Sequence, residues 1–312
     1  MNFNSGNKNL LVIAGPTGAG KTELAISIAE YFGAEIISAD SRQVYSEMKI
    51  GTARPEPEEL KGVPYHFTGN ISISQEYNVG LYEREVISFL KAYYKKKDIA
   101  ILCGGTGLYI EAVLNGIDNF PDSDTQIQDE IRYKFEKGGL IYLQDELKRV
   151  DPVYFSRVDI YNPHRLIRAL TVTKQTGKPY SYFLNKTNVN RDFQAFNLLT
   201  ELPRNVLYNK INDRVDRMVE RGLETEARAL YEHRNCKALQ TVGYKELFSY
   251  FDGLISKEVA IELIKRNSRR YAKRQLTWFN NRGEWIKIDP RDIDSVINLI
   301  INKINQIEKR YS

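Results

Sequence analysis

The sequence predicts an α/β fold of the P-loop NTPase-like kind: a parallel β-sheet flanked by helices, with a helical insertion domain. Three observations carry this reading. The apolar run Leu10-Leu11-Val12-Ile13-Ala14 feeds directly into Gly15-Pro16-Thr17-Gly18-Ala19-Gly20-Lys21-Thr22, and a helical composition follows over residues 23–32. Short apolar segments then alternate with helical ones, as strands buried on both faces of a sheet do. Beyond about Ile117 helical patterns persist without a convincing strand, which reads as an insertion.

Taken in order, residues 10–14 form the first strand, and 34–39 a second that ends at Asp40-Ser41-Arg42-Gln43-Val44-Tyr45. Residues 82–94 are expected to be helical. Ile99-Ala100-Ile101-Leu102-Cys103 forms a third strand ending at Gly104-Gly105-Thr106-Gly107. Ligands on such sheets collect where strands end in loops, so the loops 15–22, 40–45 and 104–109 are expected to converge. A polar turn at 118–124 opens the insertion, whose helices are expected at 126–137, 142–150 and 163–176. A loop at 185–192 leads back to a late strand at 196–199. Long helices resume over 204–233 and 258–279, a short strand covers 285–288, and a last helix covers 293–309. The expected organisation is a core of residues 1–117 and 196–312 around an insertion of residues 118–195.

Composition excludes several classes. No run approaches the ~18 apolar residues of a membrane span, and the polar first nine residues lack the apolar core of an export signal. The expectation is therefore a cytoplasmic protein without a membrane partner. Cys103 and Cys236 are the only cysteines, too few for a disulfide framework or a thiolate zinc site. A net charge of +5 permits nucleic acid binding without requiring it.

The segment from Gly15 to Thr22 has the form GxxxxGK[ST]. Its glycines let successive backbone N–H groups point at phosphate oxygens, and the following helix adds its positive end. Lys21 supplies a mobile charge, and Thr22 a hydroxyl suited to Mg²⁺. The motif does not name the phosphate donor. A nucleotide triphosphatase usually carries an acid at the end of a further strand, whereas the strand ending at Cys103 runs into glycines. The nearby acid is Asp40, which on its position alone is open to three readings: Mg²⁺ ligand, general base, or loop cap.

Seven blocks, in order along the chain, resemble the tRNA dimethylallyltransferase (tRNA isopentenyltransferase) family of bacterial type. They are the Gly-rich loop, Ser38-Ala39-Asp40-Ser41-Arg42-Gln43-Val44-Tyr45, Met48-Lys49-Ile50-Gly51-Thr52-Ala53, Gly104-Gly105-Thr106-Gly107-Leu108-Tyr109, Asn162 through Leu170, Thr241-Val242-Gly243-Tyr244-Lys245-Glu246, and Lys273-Arg274-Gln275-Leu276-Thr277-Trp278-Phe279. The resemblance implies transfer of a dimethylallyl group from dimethylallyl diphosphate to N6 of adenosine 37, beside the anticodon of tRNAs that read codons beginning with U. The loop then holds a diphosphate leaving group. It further implies that Asp40 is the base, that Thr17 sits where the substrates meet, that Arg214 helps bind diphosphate, and that Mg²⁺ is held with Thr22. The implied tRNA contacts are Asp40, Ser41, Arg42, Gln43, Thr106, Gln128, His164, Arg165, Leu166, Ile167, Arg168, Thr241 through Glu246, and Arg274, Gln275, Leu276, Thr277, Trp278, Phe279, Asn280 and Asn281. The partner is the tRNA anticodon stem-loop, and the acting unit a monomer.

The chemistry asks for these residue types. An exocyclic adenine amine is a weak nucleophile, and a carboxylate on its N–H draws charge toward nitrogen as the new bond forms. Charge growing on diphosphate must be met by cations and loop amides. A stacked base must also be turned out of the anticodon loop. The segment from Lys265 to Arg274 carries six basic residues in ten. On a helix, Arg266, Arg269, Arg270, Lys273 and Arg274 fall within ~140° of one face, with Ile264, Tyr271 and Trp278 expected to anchor beside it.

Departures from the family pattern stand beside the matches. Gln128 replaces a common arginine, Arg54 a lysine, and Tyr65 a histidine. His66 is expected to be a packing histidine. Three rivals remain at this level: prenyl transfer to free adenine nucleotides, a P-loop kinase, and a non-catalytic RNA-binding protein. The insertion and the basic helix argue against the first, because a free nucleotide needs neither.

Overall fold

The computed structural model describes residues 8–118, 120–121, 124–184 and 189–311, and of 307–311 only the backbone. The polar stretch before residue 8, and parts of the turn at 118–124 and the loop at 185–192, lie outside the described residues. The chain divides into two units, Asn115–Asn190 and the remainder.

The larger unit is built on six parallel strands. In chain order the elements are β1 (Asn9–Ala14), α1 (Lys21–Phe32), β2 (Ile36–Ser38), β3 (Tyr65–His66), α2 (Val79–Tyr93), β4 (Ile99–Gly104) and α3 (Gly107–Asn115). The insertion carries α4 (Thr125–Val150), α5 (Pro152–Phe155) and α6 (Pro163–Thr176). The larger unit then resumes with β5 (Gln194–Thr200), α7 (Arg204–Glu220), α8 (Leu223–Ala229), α9 (Tyr244–Phe251), α10 (Lys257–Asn280), β6 (Ile286–Ile288) and α11 (Ile293–Tyr311). The sheet order is β3-β2-β4-β1-β5-β6, every neighbouring pair parallel.

Strands β1 and β4 are buried along their whole length, which explains their unbroken apolar character. Alternate residues serve opposite layers. Leu11, Ile13, Ile36 and Ile101 pack with α1 and α11, while Leu10, Val12, Ile37 and Leu102 pack with α2, α3 and Phe279 of α10. A third core of Val215, Leu223, Leu247, Phe248 and Ile264 joins helices α7 to α10 beyond the sheet. Both central strands deliver their C-terminal ends, and so their loops, to one rim.

Four elements escape the sequence pattern, the one-turn α5 of the insertion among them. β3 is two residues long, too short for a periodic signal, and pairs with Ile36 and Ile37. α3 begins at Gly107, inside the stretch expected to be loop, and α9 begins within the Thr241 to Glu246 block. The glycines there read as loop residues. His66 behaves as expected: its Nε2 lies 2.7 Å from Glu35 Oε2 and its ring packs on Phe89.

Within the insertion, α4 is two helices separated at Gly139, whose φ of 66° breaks the helical path; the sequence pattern breaks between 137 and 142. Ile131, Leu143, Leu147, Leu166, Ile167 and Leu170 form its own small core. Asn162 caps α6 by accepting from the Arg165 amide, so His164 has no capping role.

Candidate active site

The loops after β1, β2 and β4 open onto one cleft of about 830 Å³, whose far wall comes from α7, α9 and α10. The Gly-rich loop forms one end of it, through Thr17, Lys21 and Thr22. Gly20 sits at the N-cap of α1 in the left-handed region at φ 83°, and no side chain caps the helix. A left-handed position there favours glycine, and the uncapped first-turn amides are left for an anion.

Lys21 folds back over this loop, its Nζ donating to Pro16 O at 2.7 Å. Desolvation lowers its ammonium from the ordinary lysine value to about 8; the Arg214 charge adds to that, while Cys103 and Asp40 oppose it. Arg214 enters from α7 and donates from Nη2 to Thr52 O at 3.0 Å. Burial lowers its pKa as well, with Asp40 opposing. Two desolvated cations thus share one end of the cleft, a combination that calls for a polyanion.

Asp40 stands across from them at the end of β2. Its Oδ1 accepts from the Arg42 amide at 2.8 Å and the Gln43 amide at 3.3 Å, so the capping reading is true of one oxygen. The residue also lines the cleft, which leaves the carboxylate in reach of a ligand. The loop is fastened to β4: Ala39 N donates to Cys103 O, Thr106 N to Ala39 O, and Ser41 N to Thr106 Oγ1 at 3.0 Å. A Cβ on Gly104 would lie 2.2 Å from Ala39 O, so that close approach requires glycine.

Cys103 lines the cleft too, but burial pushes its thiol up to about 12, which keeps it protonated and unsuited to nucleophilic work. Tyr65 of β3 reaches the cleft beside it. Its phenol is held far above its usual range by burial, with the neighbouring Cys103 and Asp40 pushing the same way. Among the described residues no group of three or more His, Cys, Asp or Glu could hold a metal ion.

The IPP transferase family profile matches residues 43–282. The chain belongs to the IPP transferase family. A tRNA dimethylallyltransferase of Cytophaga hutchinsonii is 45% identical over 300 residues, covering 96% of this chain and 99% of its own. Another from Christiangramia forsetii is 46% identical over 298 residues, covering 95% and 98%. Among solved structures, the tRNA isopentenylpyrophosphate transferase of Bacillus halodurans matches with a TM-score of 0.72 at 35% identity, covering 98% of this chain and 99% of that one. A eukaryotic dimethylallyltransferase acting on tRNA matches with a TM-score of 0.75 at 28% identity, covering 91% and 74%.

Placed on this IPP transferase, the residues expected to touch RNA separate into two groups. Arg42, Thr241, Lys245, Arg270 and Arg274 line the cleft, and Thr277, Asn280 and Asn281 are exposed on or just past α10. The other group is largely buried and bonded within the protein, although Gln43, Glu246 and Gln275 also line the cleft. Gln43 bridges Ser38 Oγ to the carbonyls of Thr52 and Ala53. Tyr244 is fully buried and donates its hydroxyl to Glu226. Glu246 accepts from the Gly243 amide and from Asn267. Gln275 and Phe279 face inward from α10 at 7% and 1% exposure. In the insertion, Leu166 and Ile167 are core residues, whereas His164 and Arg165 are exposed; Arg168 donates to Pro121 O, and Gln128 is half-buried.

Of the expected anchors of α10, Ile264 is buried and Trp278 packs on the core beside α2 and α3, whereas Tyr271 does not anchor the helix. Its buried stripe is Ala260, Ile264, Ala272, Gln275 and Phe279, while Tyr271 remains 37% exposed and lines the cleft. A glutamine lies in that stripe, so hydrophobicity alone places its centre one residue too early. Desolvation in the cleft pushes the Tyr271 phenol up to about 12. Not all the charged face is open: Lys265 pairs with Asp216 and Arg269 donates to Asn212 Oδ1.

Glu226 was not visible as a site residue in the sequence. Its carboxylate accepts from the amides of Lys49, Ile50 and Gly51 at 2.7 to 2.9 Å and from Tyr244. It thereby shapes the loop whose Thr52 carbonyl holds both Arg214 and Gln43. Nothing in its local sequence, an ordinary helix turn of α8, distinguishes it.

Proposed function

We propose that this chain transfers a dimethylallyl group from dimethylallyl diphosphate to N6 of adenosine 37 of tRNA, releasing diphosphate. The observation that carries this reading is the pairing in one cleft of an uncapped phosphate loop, backed by Lys21 and Arg214, with a carboxylate at Asp40. The names of the similar proteins, which act on tRNA, support the same reading.

In the reaction, the adenine nitrogen attacks the allylic carbon while the carbon–oxygen bond to diphosphate breaks. Lys21, Arg214 and the amides of Gly18 through Thr22 meet the charge gathering on the leaving oxygen. Asp40 takes the proton shed by N6 as that nitrogen becomes positive. Its bond to the Arg42 amide fixes the carboxylate plane without consuming both oxygens. Thr17, which lines the cleft from the phosphate loop, is taken as the residue where the two substrates meet. Mg²⁺ fits the donor present at Thr22, whose residue lines the cleft and whose hydroxyl is the oxygen type a hard cation takes. When bound it would offset diphosphate charge.

RNA is held by the cations on α10 and by exposed residues of the insertion, His164 and Arg165 among them. A monomer is taken as the acting unit, working on tRNA in the cytoplasm. No helix among the described residues is long and apolar enough to cross a membrane.

The test is to incubate the protein with unmodified tRNA and labelled dimethylallyl diphosphate, with AMP and ATP as competing acceptors. Label is expected in tRNA alone. Label in AMP or ATP, with none in tRNA, would replace this reading with prenyl transfer to free nucleotides.

A further inference from the structure

The side-chain amide of Gln275 is buried against the phosphate loop. Its Oε1 accepts from the Thr17 amide at 2.9 Å, and its Nε2 donates to Gly105 O at 2.8 Å. A Cβ on Gly105 would lie 2.3 Å from that Nε2 and 3.1 Å from Gly15 O. The glutamine therefore occupies the space that glycine leaves between the loops after β1 and β4. It is a two-ended bolt.

The bolt belongs to the same helix as the cleft-lining cations. Arg274 is the adjacent residue and Arg270 lies five before it, both exposed and both on the cleft wall. Trp278, three residues on, packs where a Cβ on Gly107 would otherwise sit, at 2.1 Å from its Nε1. A helix moves as a unit over so short a span, because each residue is tied to those four away. Phosphates seated on Arg270 and Arg274 thus bear on the element that fixes the Thr17 amide. That amide is the loop N–H drawn to α10 and away from the anion.

We propose that Gln275 is a positioning residue that couples RNA seating on α10 to the shape of the diphosphate loop. This rests on the reading that α10 contacts RNA. The coupling is energetic and reciprocal: RNA tightens diphosphate binding, and diphosphate tightens RNA binding by the same factor. In this proposal Gln275 acts through the two loops it ties together.

The experiment measures the dissociation constant of inorganic pyrophosphate with and without an unmodified anticodon stem-loop RNA. In the unaltered protein the RNA is expected to tighten pyrophosphate about 5-fold or more. In Gln275→Met, which keeps volume and removes both hydrogen bonds, each ligand alone is expected to bind within about 3-fold of normal while the coupling factor falls toward one. Gln275→Glu is the second variant, needed if the first does not fold. It keeps an acceptor for the Thr17 amide, loses the donor to Gly105, and is expected to retain only part of the coupling. A purely structural glutamine would lower thermal stability and leave the coupling factor unchanged in either folded variant, which overturns the proposal. Absence of coupling in the unaltered protein overturns it equally. Failure of the RNA to bind at all is a different result and refutes the proposed function itself.

Discussion

Asp40 sets one carboxylate oxygen 2.8 Å from the Arg42 amide, so the side chain proposed as base also forms the turn that presents it. The two roles can be separated. Asparagine keeps an oxygen to accept from Arg42 but cannot take a proton. Asp40→Asn should therefore lower single-turnover prenyl transfer by ~10²-fold or more, with a melting temperature close to normal and RNA binding retained. Asp40→Ala should lose both the rate and some stability. A normal rate in Asp40→Asn removes Asp40 as the base.

Lys21 works against the fold at neutral pH. Its folded-state value of about 8 lies below the ordinary 10.5, so between those values the unfolded chain binds more protons and stability rises with pH. Below about 8 the lysine is charged in both states, and its burial counts against folding. Lys21→Met should accordingly melt at a higher temperature at pH 7 while losing pyrophosphate binding. In the unaltered protein, pyrophosphate affinity should weaken as pH rises through about 8, as read by calorimetry. Affinity flat from pH 7 to 9.5 would contradict this assignment.

Glu226 touches no substrate in this account, yet it holds three amides of the loop that positions Arg214. Hydrogen bonds to a charged group contribute about 1.5–3 kcal/mol each. Glu226→Ala should destabilise the chain by about 3 kcal/mol or more and weaken pyrophosphate binding. Urea unfolding and pyrophosphate titration check the two effects independently.

For the helix wall, Arg270→Ala with Arg274→Ala should weaken stem-loop binding and flatten the slope of log affinity against log salt. Two lost phosphate contacts reduce that slope by about 1.4–1.8. Pyrophosphate affinity measured without RNA should barely change. An unaltered slope would make this face an ordinary solvated surface.

The parts of this molecule legible in its sequence are those with a local signature. β1 and β4 show as apolar runs, the phosphate loop as glycines at fixed spacing, and α10 as a charge stripe. Asp40 was visible because it follows a strand. What stayed hidden depends on contacts between distant residues. β3 is recognisable only once its pairing with β2 is seen. Gln275 lies 258 residues from the amide it holds, and Glu226 lies 175 or more from the loop it shapes. Family motifs point to these regions without saying which side chains face the substrate. Burial shows that Gln43, Tyr244, Glu246, Gln275 and Phe279 support the walls of the cleft, which their motifs alone do not reveal.

The central claim is that the phosphate loop holds the leaving group of an allylic donor. It is tested most directly by following transfer with no nucleoside triphosphate present and counting diphosphate against prenylated adenosine. The account expects transfer to proceed, one diphosphate appearing for each prenyl group gained by the tRNA. A requirement for ATP, or release of inorganic phosphate in place of diphosphate, would contradict it.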